Sequence, residues 1–422
     1  MKLMNLRIKN FKNIENVAIN FAEINAIVGQ NGTGKTNVIN AIKFLKYFLH
    51  NGPERSITAA GGSEALFNQF NSAAAPIQIA ITTDGNQTEG VPYQIFGPNF
   101  TLISIKIELT LSPTKDAKNV KNIKQVHTFK VRHEKMNSIS DIRVEVNTDM
   151  INATATGMLS FASDGDSISS DLKKELLEKS FFVKYLSEVT QASKKERMKE
   201  RSGFLFQNIT NIIVGIIAAA GLDDVKMYSF DPVISKKPSE VGFNSVSFSE
   251  QGEYFSSILN QFDENEKEDY ILTLQSFFPQ VVTYSILTTP SHHEVVIFKE
   301  RYGNNERETN FNSISDGMTA VALIIAAVKK ANKSVVIIEE PERFIHPSII
   351  ARLLRFLKQE ASTTQILITT HSPLVVNELD VHELVFIERK ISGSSISRPI
   401  KKLPITLIED LGLGDLYANS LI

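Results

Sequence analysis

The segment that most constrains the fold of this chain is a glycine-rich loop between an apolar strand and an amphipathic helix. Residues 29–36 read GQNGTGKT and satisfy the pattern GxxxxGK[ST] in full. The preceding residues, Ile24 to Val28, form a nearly continuous apolar run, which is typical of a buried strand. From Lys35 to Leu49 the apolar residues recur at helical spacing. The sequence therefore predicts a strand, a tight loop and a helix in direct succession.

This loop has the residue types that bind the phosphate chain of a nucleotide. Its glycines allow backbone N–H groups to turn inward around phosphate oxygens, and the helix N-terminus adds the positive end of its dipole. The Lys35 ammonium is expected to reach the β and γ phosphates of ATP, and the Thr36 hydroxyl to bind Mg²⁺. The pattern by itself leaves the class of ATPase open. The predicted nucleotide-binding residues are Gly29, Asn31, Gly32, Thr33, Gly34, Lys35, Thr36 and Asn37.

A second apolar strand, Val335 to Ile338, ends in the two carboxylates Glu339 and Glu340. Side chains alternate across a strand, so at its exit one carboxylate can approach Mg²⁺ while the next faces the γ-phosphate and a water. We therefore assign Glu339 to the metal and Glu340 to the general base. A strand that ends in a solvated acidic turn would have the same sequence pattern. The phosphate loop upstream favours the catalytic interpretation.

Residues 313–319 read SISDGMT and precede an apolar helix, Ala320 to Val328. Taken alone, Ser315 and Asp316 would be N-cap residues and Gly317 a turn residue.

A third apolar strand begins at Ile366 and is followed by His371, Ser372 and Pro373. A single histidine is more often structural than functional, and its two neighbours also suit a turn. The role of His371 therefore depends on the other motifs in the chain.

The composition is that of an ordinary globular protein, and it narrows the classes of partner. Lys plus Arg number 45 against 47 Asp plus Glu in 422 residues, so a DNA contact would need a local basic patch. The chain has no cysteine, which excludes disulfides and thiol catalysis and agrees with a reducing cytosol. The N-terminus lacks a signal-like apolar core, and the apolar runs are too short to span a bilayer. We therefore expect a cytoplasmic protein without membrane contact.

Changes in pattern along the chain divide it into three expected parts. Alternating stretches between polar turns in residues 76–148 predict an antiparallel β lobe. Residues 166–280 become helical and more charged, which predicts an inserted helical domain. From residue 313 on, helices alternate with apolar strands, as in an open parallel sheet. The expected parts are residues 1–165, 166–280 and 281–422.

In this order, the four motifs resemble those of the ABC-type ATPase heads of the RecF, SMC and OLD group. The chain is similar in particular to bacterial proteins labelled AAA family ATPase, which are frequent in phage-defence operons. The segments that carry the resemblance are LRIKNFKNIENVAI, YSFDP, SFFPQV, IEEPERFIHPSI and ITTHSPLVVNEL. The implied fold class is α/β: an ABC-type P-loop ATPase head with an antiparallel β lobe and an inserted helical domain. Residues 1–165 and 281–422 would then be the two halves of the head.

The resemblance also implies that two copies clamp two ATP molecules in a head-to-tail dimer. ISDGM is similar to the signature of such heads, in which Ser315 and the N–H groups of Gly317 and Met318 would donate to the γ-phosphate. His371 would be the switch histidine, which contacts the γ-phosphate.

Three further assignments follow from the resemblance alone. Pro341 to Pro347 would be the D-loop, with His346 at a position usually held by aspartate. Glu339 stands where the family more often has aspartate, and the longer side chain can still reach Mg²⁺. Gln69, in ALFNQF, is the candidate Q-loop residue on the metal, although a polar loop residue would look the same.

Three functions are compatible with these motifs. The first is the sensor or regulatory ATPase of an antiphage defence complex that acts with a separate effector, such as a nuclease on another polypeptide. The second is a DNA repair or recombination ATPase that resembles RecF and clamps DNA. The third is a scaffold that binds ATP without turnover, which Glu340 and His371 argue against. The basic stretches Lys194 to Arg201 and Lys115 to Lys124 would be the DNA contacts, although each also suits a solvated face. The oligomer beyond a dimer stays open.

Overall fold

The computed structural model describes residues 2–68, 70, 75–84, 100–116, 118–133, 138–150, 154–163, 224–237, 239–240, 249–331, 334–398 and 412–419. The chain forms two compact units. The first comprises Met1–Phe21, Asn31–Asp224 and Ile387–Arg398, and the second comprises Ala22–Gln30, Val225–Phe386 and Pro399–Ile422. The chain therefore enters the first unit from the second inside the glycine-rich loop, between Gln30 and Asn31.

The strands are numbered in chain order over both units. They are β1 (Leu3–Phe11), β2 (Ile14–Asn20), β3 (Ile24–Val28), β4 (Ile77–Asp84), β5 (Phe100–Pro113), β6 (Val120–His133), β7 (Ser138–Asp149), β8 (Thr154–Ser163), β9 (Val225–Tyr228), β10 (Ser239–Glu240), β11 (Val281–Thr288), β12 (His293–Tyr302), β13 (Asn305–Asn310), β14 (Val335–Glu339), β15 (Gln365–Thr370), β16 (Leu384–Arg389) and β17 (Ser395–Arg398).

The helices are numbered in the same way. They are α1 (Lys35–Ala59), α2 (Ser63–Leu66), α3 (Pro232–Ser235), α4 (Phe255–Leu259), α5 (Glu264–Phe277), α6 (Asp316–Lys330), α7 (Pro347–Glu360), α8 (Pro373–Asn377) and α9 (Leu413–Ala418), with 3-10 turns at Phe311–Ser313 and Val381–Glu383.

The first unit is built on a large sheet with the strand order β8-β7-β6-β5-β4-β1-β2-β17. β17 runs parallel to β2, and the other neighbours pair antiparallel. In β4 the buried residues Ile77, Ile79 and Ile81 alternate with more exposed ones, because successive side chains point to opposite faces. The predicted antiparallel β lobe in residues 76–148 is confirmed by β4 to β7.

Helix α1 begins where the glycine-rich loop ends and buries an apolar stripe that includes Val38, Ile42 and Leu45. It extends past Leu49, the last residue of the predicted helix, to Ala59. The helix is kinked at Gly52, which has φ 76°, and Pro53 follows. Proline is tolerated there because it stands at the start of the second helical segment, where its missing N–H breaks no hydrogen bond.

The second unit contains a parallel sheet with the order β16-β3-β15-β14-β9. β3 pairs with β15 and β16, and β14 pairs with β15 and β9, all in parallel. β3 and β15 are buried along their whole length, which explains their continuous apolar sequence. The open parallel sheet predicted after residue 313 is confirmed by these pairings.

A small antiparallel sheet of the second unit places β12 between β10 and β11, and β13 also pairs with β12. The aromatic residues Tyr270, Tyr284, Phe298 and Phe311 pack in the core of this unit with tilted and edge-to-face ring contacts. The almost wholly apolar helix α6 is buried from Met318 to Val328 in the same core.

Part of the predicted inserted helical domain, residues 166–223, lies outside the described residues. Its described remainder belongs to the second unit and begins with a strand, β9, that pairs with β14. The domain bounds stay a prediction. In the described part of the chain, no helix is both long and apolar enough to cross a membrane.

Candidate functional site

The glycine-rich loop leaves β3 at the carboxyl edge of the parallel sheet. The Gly29 N–H donates to the Thr370 carbonyl oxygen at 3.3 Å, so the loop starts beside the exit of β15. β14 pairs with β15 up to Glu339, which lies opposite Thr369. This edge of the second unit therefore brings together the start of the glycine-rich loop and the ends of β14 and β15, which precede Glu340 and His371.

The rest of the loop, in the first unit, adopts a backbone that favours glycine. Gly32 and Gly34 have φ of 79° and 99°. A Cβ on Gly34 would lie 2.8 Å from Asn13 Oδ1. Helix α1 then begins at Lys35 without a side-chain cap, which leaves its N-terminus suited to an anionic group. The loop therefore fits the phosphate chain that the sequence predicts.

Asn13 organises this loop, and sequence reasoning misses it. Its Nδ2 donates to the Gly32 carbonyl oxygen at 3.5 Å and to Ser395 Oγ at 3.2 Å. Its Oδ1 accepts from Asn37 Nδ2 at 2.7 Å. Asn37, predicted to bind nucleotide, also accepts from Asn40 Nδ2 through Oδ1 at 3.3 Å. The Asn37 side chain therefore holds Asn13 in place, and Asn13 in turn contacts the backbone of the loop.

A cation that sequence reasoning also misses lies beside the loop. A Cβ on Gly32 would be 3.9 Å from Arg389 Nη1. The Arg389 guanidinium lies 5.5 Å from the centre of the Phe70 ring, and its Nε donates to the Gly393 carbonyl oxygen at 3.1 Å. Arg389 adds positive charge where phosphates are expected, and no pattern in its local sequence marks it.

The predicted general base, Glu340, sits in a strained turn directly after β14. Its φ is 46°, a left-handed conformation that costs a non-glycine residue on the order of 1–2 kcal/mol. The Glu340 N–H donates to the carbonyl oxygen of Thr369 at 3.0 Å and approaches its Oγ1 at 3.2 Å. These contacts hold the carboxylate at the edge of the sheet, where it is partly exposed.

The structure brings Glu340 and His371 into direct contact. Nδ1 of His371 lies 3.1 Å from Oε1 of Glu340, although 31 positions separate the two residues in sequence. An imidazole N–H in this position orients the carboxylate, and both side chains remain accessible to a water and a phosphate. The two predicted catalytic residues thus form one pair.

Glu342 is a third carboxylate at this edge that the sequence does not single out. Its Oε1 accepts from Thr370 Oγ1 at 2.6 Å and lies 4.0 Å from His371 Nδ1. Burial raises the pKa of Glu342, and the Thr370 hydrogen bond opposes that rise. Among the described residues no hydrogen-bond partner contacts its Oε2. Glu342 is therefore held by Thr370 next to the His371 imidazole, which also contacts Glu340.

The signature-like segment forms the start of α6. Ser315 is the N-cap residue, and its Oγ accepts from the Met318 N–H at 3.2 Å. This contact matches the N-cap interpretation, and it engages one of the N–H groups predicted to meet a γ-phosphate. A Cβ on Gly317 would lie 3.0 Å from the Phe344 carbonyl oxygen, so glycine lets the D-loop segment pack closely. The phosphate contacts of Ser315, Gly317 and Met318 stay a prediction.

The D-loop segment, Pro341 to Pro347, forms a tight turn before α7. His346 is the N-cap residue of α7, with Nδ1 at 3.3 Å from the Ser348 N–H. Phe344 has φ 68° and is 43% exposed, and the Arg343 guanidinium lies 4.8 Å from its ring centre. His346 therefore caps α7, and the D-loop assignment of this segment stays a prediction.

Some predicted residues receive no structural account. Gln69, the candidate Q-loop residue, and the basic stretch Lys194 to Arg201 lie outside the described residues. The stretch Lys115 to Lys124 begins after β5 and ends inside β6, and its last residue forms an ion pair with Glu145 at 2.8 Å. That pairing favours a solvated face for Lys124.

The sequence predicts a Mg²⁺ ion that is bound together with a nucleotide. In the described ranges there is no group of three or more acidic or histidine side chains that would hold a metal by itself. Mg²⁺ at phosphates commonly uses only one or two protein side chains and completes its shell with phosphate oxygens and water. Thr36, the second residue of α1 in the first unit, and Glu339, the last residue of β14 in the second unit, stay the predicted Mg²⁺ ligands.

Comparison with known proteins identifies relatives of this chain. The family described as "AAA domain, putative AbiEii toxin, Type IV TA system" matches residues 24–377. The DNA replication and repair protein RecF of Bacteroides fragilis is 48% identical over 48 residues, 11% of this chain and 13% of RecF. Endonuclease GajA of Bacillus cereus is 34% identical over 84 residues, 20% of this chain and 13% of GajA. RecF of Psychromonas ingrahamii is 30% identical over 126 residues, 25% of this chain and 35% of that protein. The chain thus spans about a third or less of the length of these relatives.

A solved structure shows the same fold. The SMC head bound to the C-winged helix domain of ScpA superimposes with a TM-score of 0.51 at 14% identity, and the alignment covers 97% of this chain and 100% of that one. The predicted fold of an ABC-type ATPase head is confirmed by this match.

Proposed function

The chain belongs to the AAA domain family described as putative AbiEii toxin, Type IV TA system, and we propose that it binds ATP with Mg²⁺ and hydrolyses it. The observation that carries the proposal is the contact between Glu340 and His371 at the edge that also holds Gly29. A carboxylate and an imidazole in contact, at the exit of a strand next to a phosphate loop, can activate a water for attack on a phosphorus atom.

Each residue has a defined part in the proposed reaction. Backbone N–H groups of the loop and the Lys35 ammonium bind the phosphates. Glu340 accepts the proton of the attacking water, and His371 orients the Glu340 carboxylate and donates to the γ-phosphate as negative charge builds up. Bound Mg²⁺, held by Thr36 and Glu339, would neutralise charge on the phosphate oxygens.

Glu340→Gln tests this assignment directly. Glutamine keeps the shape of the side chain and the contact with His371, and it cannot accept a proton from water. Turnover should fall by roughly 10² to 10⁴, while ATP affinity is retained. Glu339→Gln is the matched control, because it changes the neighbouring carboxylate in the same way. That variant should respond more weakly to Mg²⁺ and retain nucleotide less well, because its defect lies at the metal. Normal hydrolysis by Glu340→Gln, together with a Glu339→Gln variant that is trapped as an ATP-bound dimer, would reverse the two roles.

ATP should also join two copies of the chain. In this arrangement the Ser315 segment of one copy completes the nucleotide site of the other, and hydrolysis releases the pair. Glu340→Gln should therefore accumulate as an ATP-bound dimer. Size-exclusion chromatography with ATP and Mg²⁺ measures this, and a monomer at every ATP concentration would contradict the dimer.

We infer that the ATPase serves as the sensor or regulatory subunit of an antiphage defence complex with a separate effector such as a nuclease. The family description names a toxin–antitoxin system, and one relative is named an endonuclease, GajA. The test is phage plating on cells that express this chain with its neighbouring genes. Lys35→Ala should abolish protection, and protection that survives in this variant would exclude an ATP-dependent role.

A RecF-like DNA clamp is the second candidate, and the short RecF matches at 45–48% identity favour it. The two candidates differ in what the chain does alone. A clamp should bind double-stranded DNA when ATP is present and release it on hydrolysis, so Glu340→Gln with ATP should retain DNA in a gel-shift assay. Equal DNA binding with and without ATP would argue against the clamp.

A further inference from the structure

The start of α6 carries a negative charge where the proposed dimer needs to receive an anion. Asp316 is the first residue of α6, and its side chain is 54% exposed. A carboxylate at a helix N-terminus interacts favourably with the helix dipole, and it also repels a phosphate that approaches the same end. A nearby positive charge is therefore required if this end is to meet a γ-phosphate.

Lys236 supplies that charge. Its Nζ lies 2.7 Å from Asp316 Oδ1 and donates to the Ile314 carbonyl oxygen at 2.8 Å. The two contacts fall on the residues on either side of Ser315. The Lys236 side chain is only 17% exposed, so its ammonium is fixed in place rather than extended into solvent.

The main chain holds Lys236 in this position. Asp231 caps the short helix α3, with Oδ1 accepting from Val233 N–H at 2.8 Å and from Ile234 N–H at 3.2 Å. The Lys236 N–H donates back to the Pro232 carbonyl oxygen at 3.2 Å. Three residues before the cap, β9 ends beside β14. Lys236 thus follows a capped turn after β9, the strand that pairs with β14.

We propose that Lys236 is a positioning residue of the signature segment. It neutralises Asp316 and fixes the backbone at Ile314, so that the N-terminus of α6 can accept the γ-phosphate of ATP held by a second copy. Lys236 itself makes no contact with nucleotide in this arrangement. The inference rests on the proposed ATP-driven dimer. It adds Lys236 as the residue that allows a segment containing Asp316 to meet a negatively charged γ-phosphate.

The test uses the full-length Glu340→Gln chain as parent and follows dimer formation against ATP concentration by analytical ultracentrifugation. Lys236→Met removes the ammonium. Lys237→Met is the matched control, because it removes the neighbouring exposed charge. Lys236→Met combined with Asp316→Asn removes both members of the pair. ATP binding is measured separately with a fluorescent ATP analogue, and a thermal melt monitors folding.

Lys236→Met should raise the ATP concentration needed for the dimer by at least about tenfold, because the Asp316 carboxylate is then unbalanced. Binding of the ATP analogue and the behaviour of Lys237→Met should match the parent. The double variant should return to within about threefold of the parent, because no unbalanced carboxylate remains. Asp316→Asn alone, which leaves the ammonium unopposed, should form the dimer at no more ATP than the parent. This arm does not depend on whether Lys236→Met folds.

Three results would overturn the proposal. Equal dimer formation by Lys236→Met and Lys237→Met would show that the pair has no role. A double variant as defective as Lys236→Met would show that charge balance is not the reason. A requirement for more ATP in Asp316→Asn would show that the carboxylate does not oppose the phosphate. A parent that remains monomeric with ATP would instead refute the proposed dimer, and this inference with it.

Discussion

A buried histidine in the β lobe makes the first unit sensitive to acid. His127 lies on β6 between Ile107 of β5 and Val144 of β7, on the face where its neighbours are buried and apolar. It is 0% exposed, and among the described residues neither of its ring nitrogens has a hydrogen-bond partner. Burial lowers the pKa of His127 from 6.5 to about 4, because the charged imidazolium loses its hydration.

The sign and size of the effect follow from this pKa. The unfolded chain takes up a proton near pH 6.5 and the folded chain only near pH 4, so unfolding gains a proton between these values. His127 does not lower the free energy of unfolding above pH 6.5. Below that value the free energy of unfolding falls as the pH drops, and the whole loss due to His127 is reached below about pH 4. At about 1.4 kcal/mol per pH unit, the full loss is about 3 kcal/mol, and the part between pH 7 and pH 5 is about 2 kcal/mol.

His127→Leu is the test, since leucine keeps a similar volume and has no group to protonate. Urea denaturation followed by circular dichroism at pH 7 and pH 5 gives the free energy of unfolding of both proteins. The wild type should lose about 2 kcal/mol more than the variant between the two pH values. His382→Gln removes an exposed imidazole and controls for the loss of a histidine as such. Equal losses in wild type and His127→Leu would refute the reasoning.

Three further predictions concern the nucleotide. Gly34→Ala should weaken ATP binding at least about tenfold, because φ at this residue is 99° and the new Cβ would clash with Asn13. Gly52→Ala is the control, because Gly52 has a similar φ of 76° and open space around it, and this variant should bind ATP normally. Equal ATP affinities of the two variants would contradict the loop geometry. Lys35→Ala should abolish ATP binding in a direct affinity measurement, and unchanged affinity would remove the phosphate-loop assignment. Ser315→Arg should still bind ATP, but the variant should neither dimerise nor hydrolyse ATP. Hydrolysis at the normal rate would contradict the signature role of Ser315.

Local patterns predicted much of the fold. The GQNGTGKT loop, the apolar strands β3, β14 and β15 and the alternating strands β4 to β7 follow from glycine content and side-chain periodicity, which report backbone conformation over a few residues. The sequence does not predict the short strand β9, because four residues show no reliable period and the strand forms by pairing with β14. The sequence also does not predict the continuation of α1 beyond Gly52, since a Gly-Pro step usually ends a helix.

The candidate site shows the same division. Its motif residues, Lys35, Glu340 and His371 among them, could be chosen from sequence because each follows a strand or a loop with a recognisable pattern. The contact of Glu340 with His371 could not be derived, and neither could that of Lys236 with Asp316. Both depend on which strands and helices lie side by side.

The sequence by itself therefore determined the phosphate loop, the types of element around it and the chemical groups available for catalysis. Tertiary structure alone decided that Asn13 closes on Gly34, that Glu342 packs behind His371 through Thr370, and that Lys236 balances Asp316. The physical reason is range. Backbone propensity and side-chain period act over a few neighbouring residues, whereas these contacts are set by strand register and helix packing between segments that are far apart in the chain.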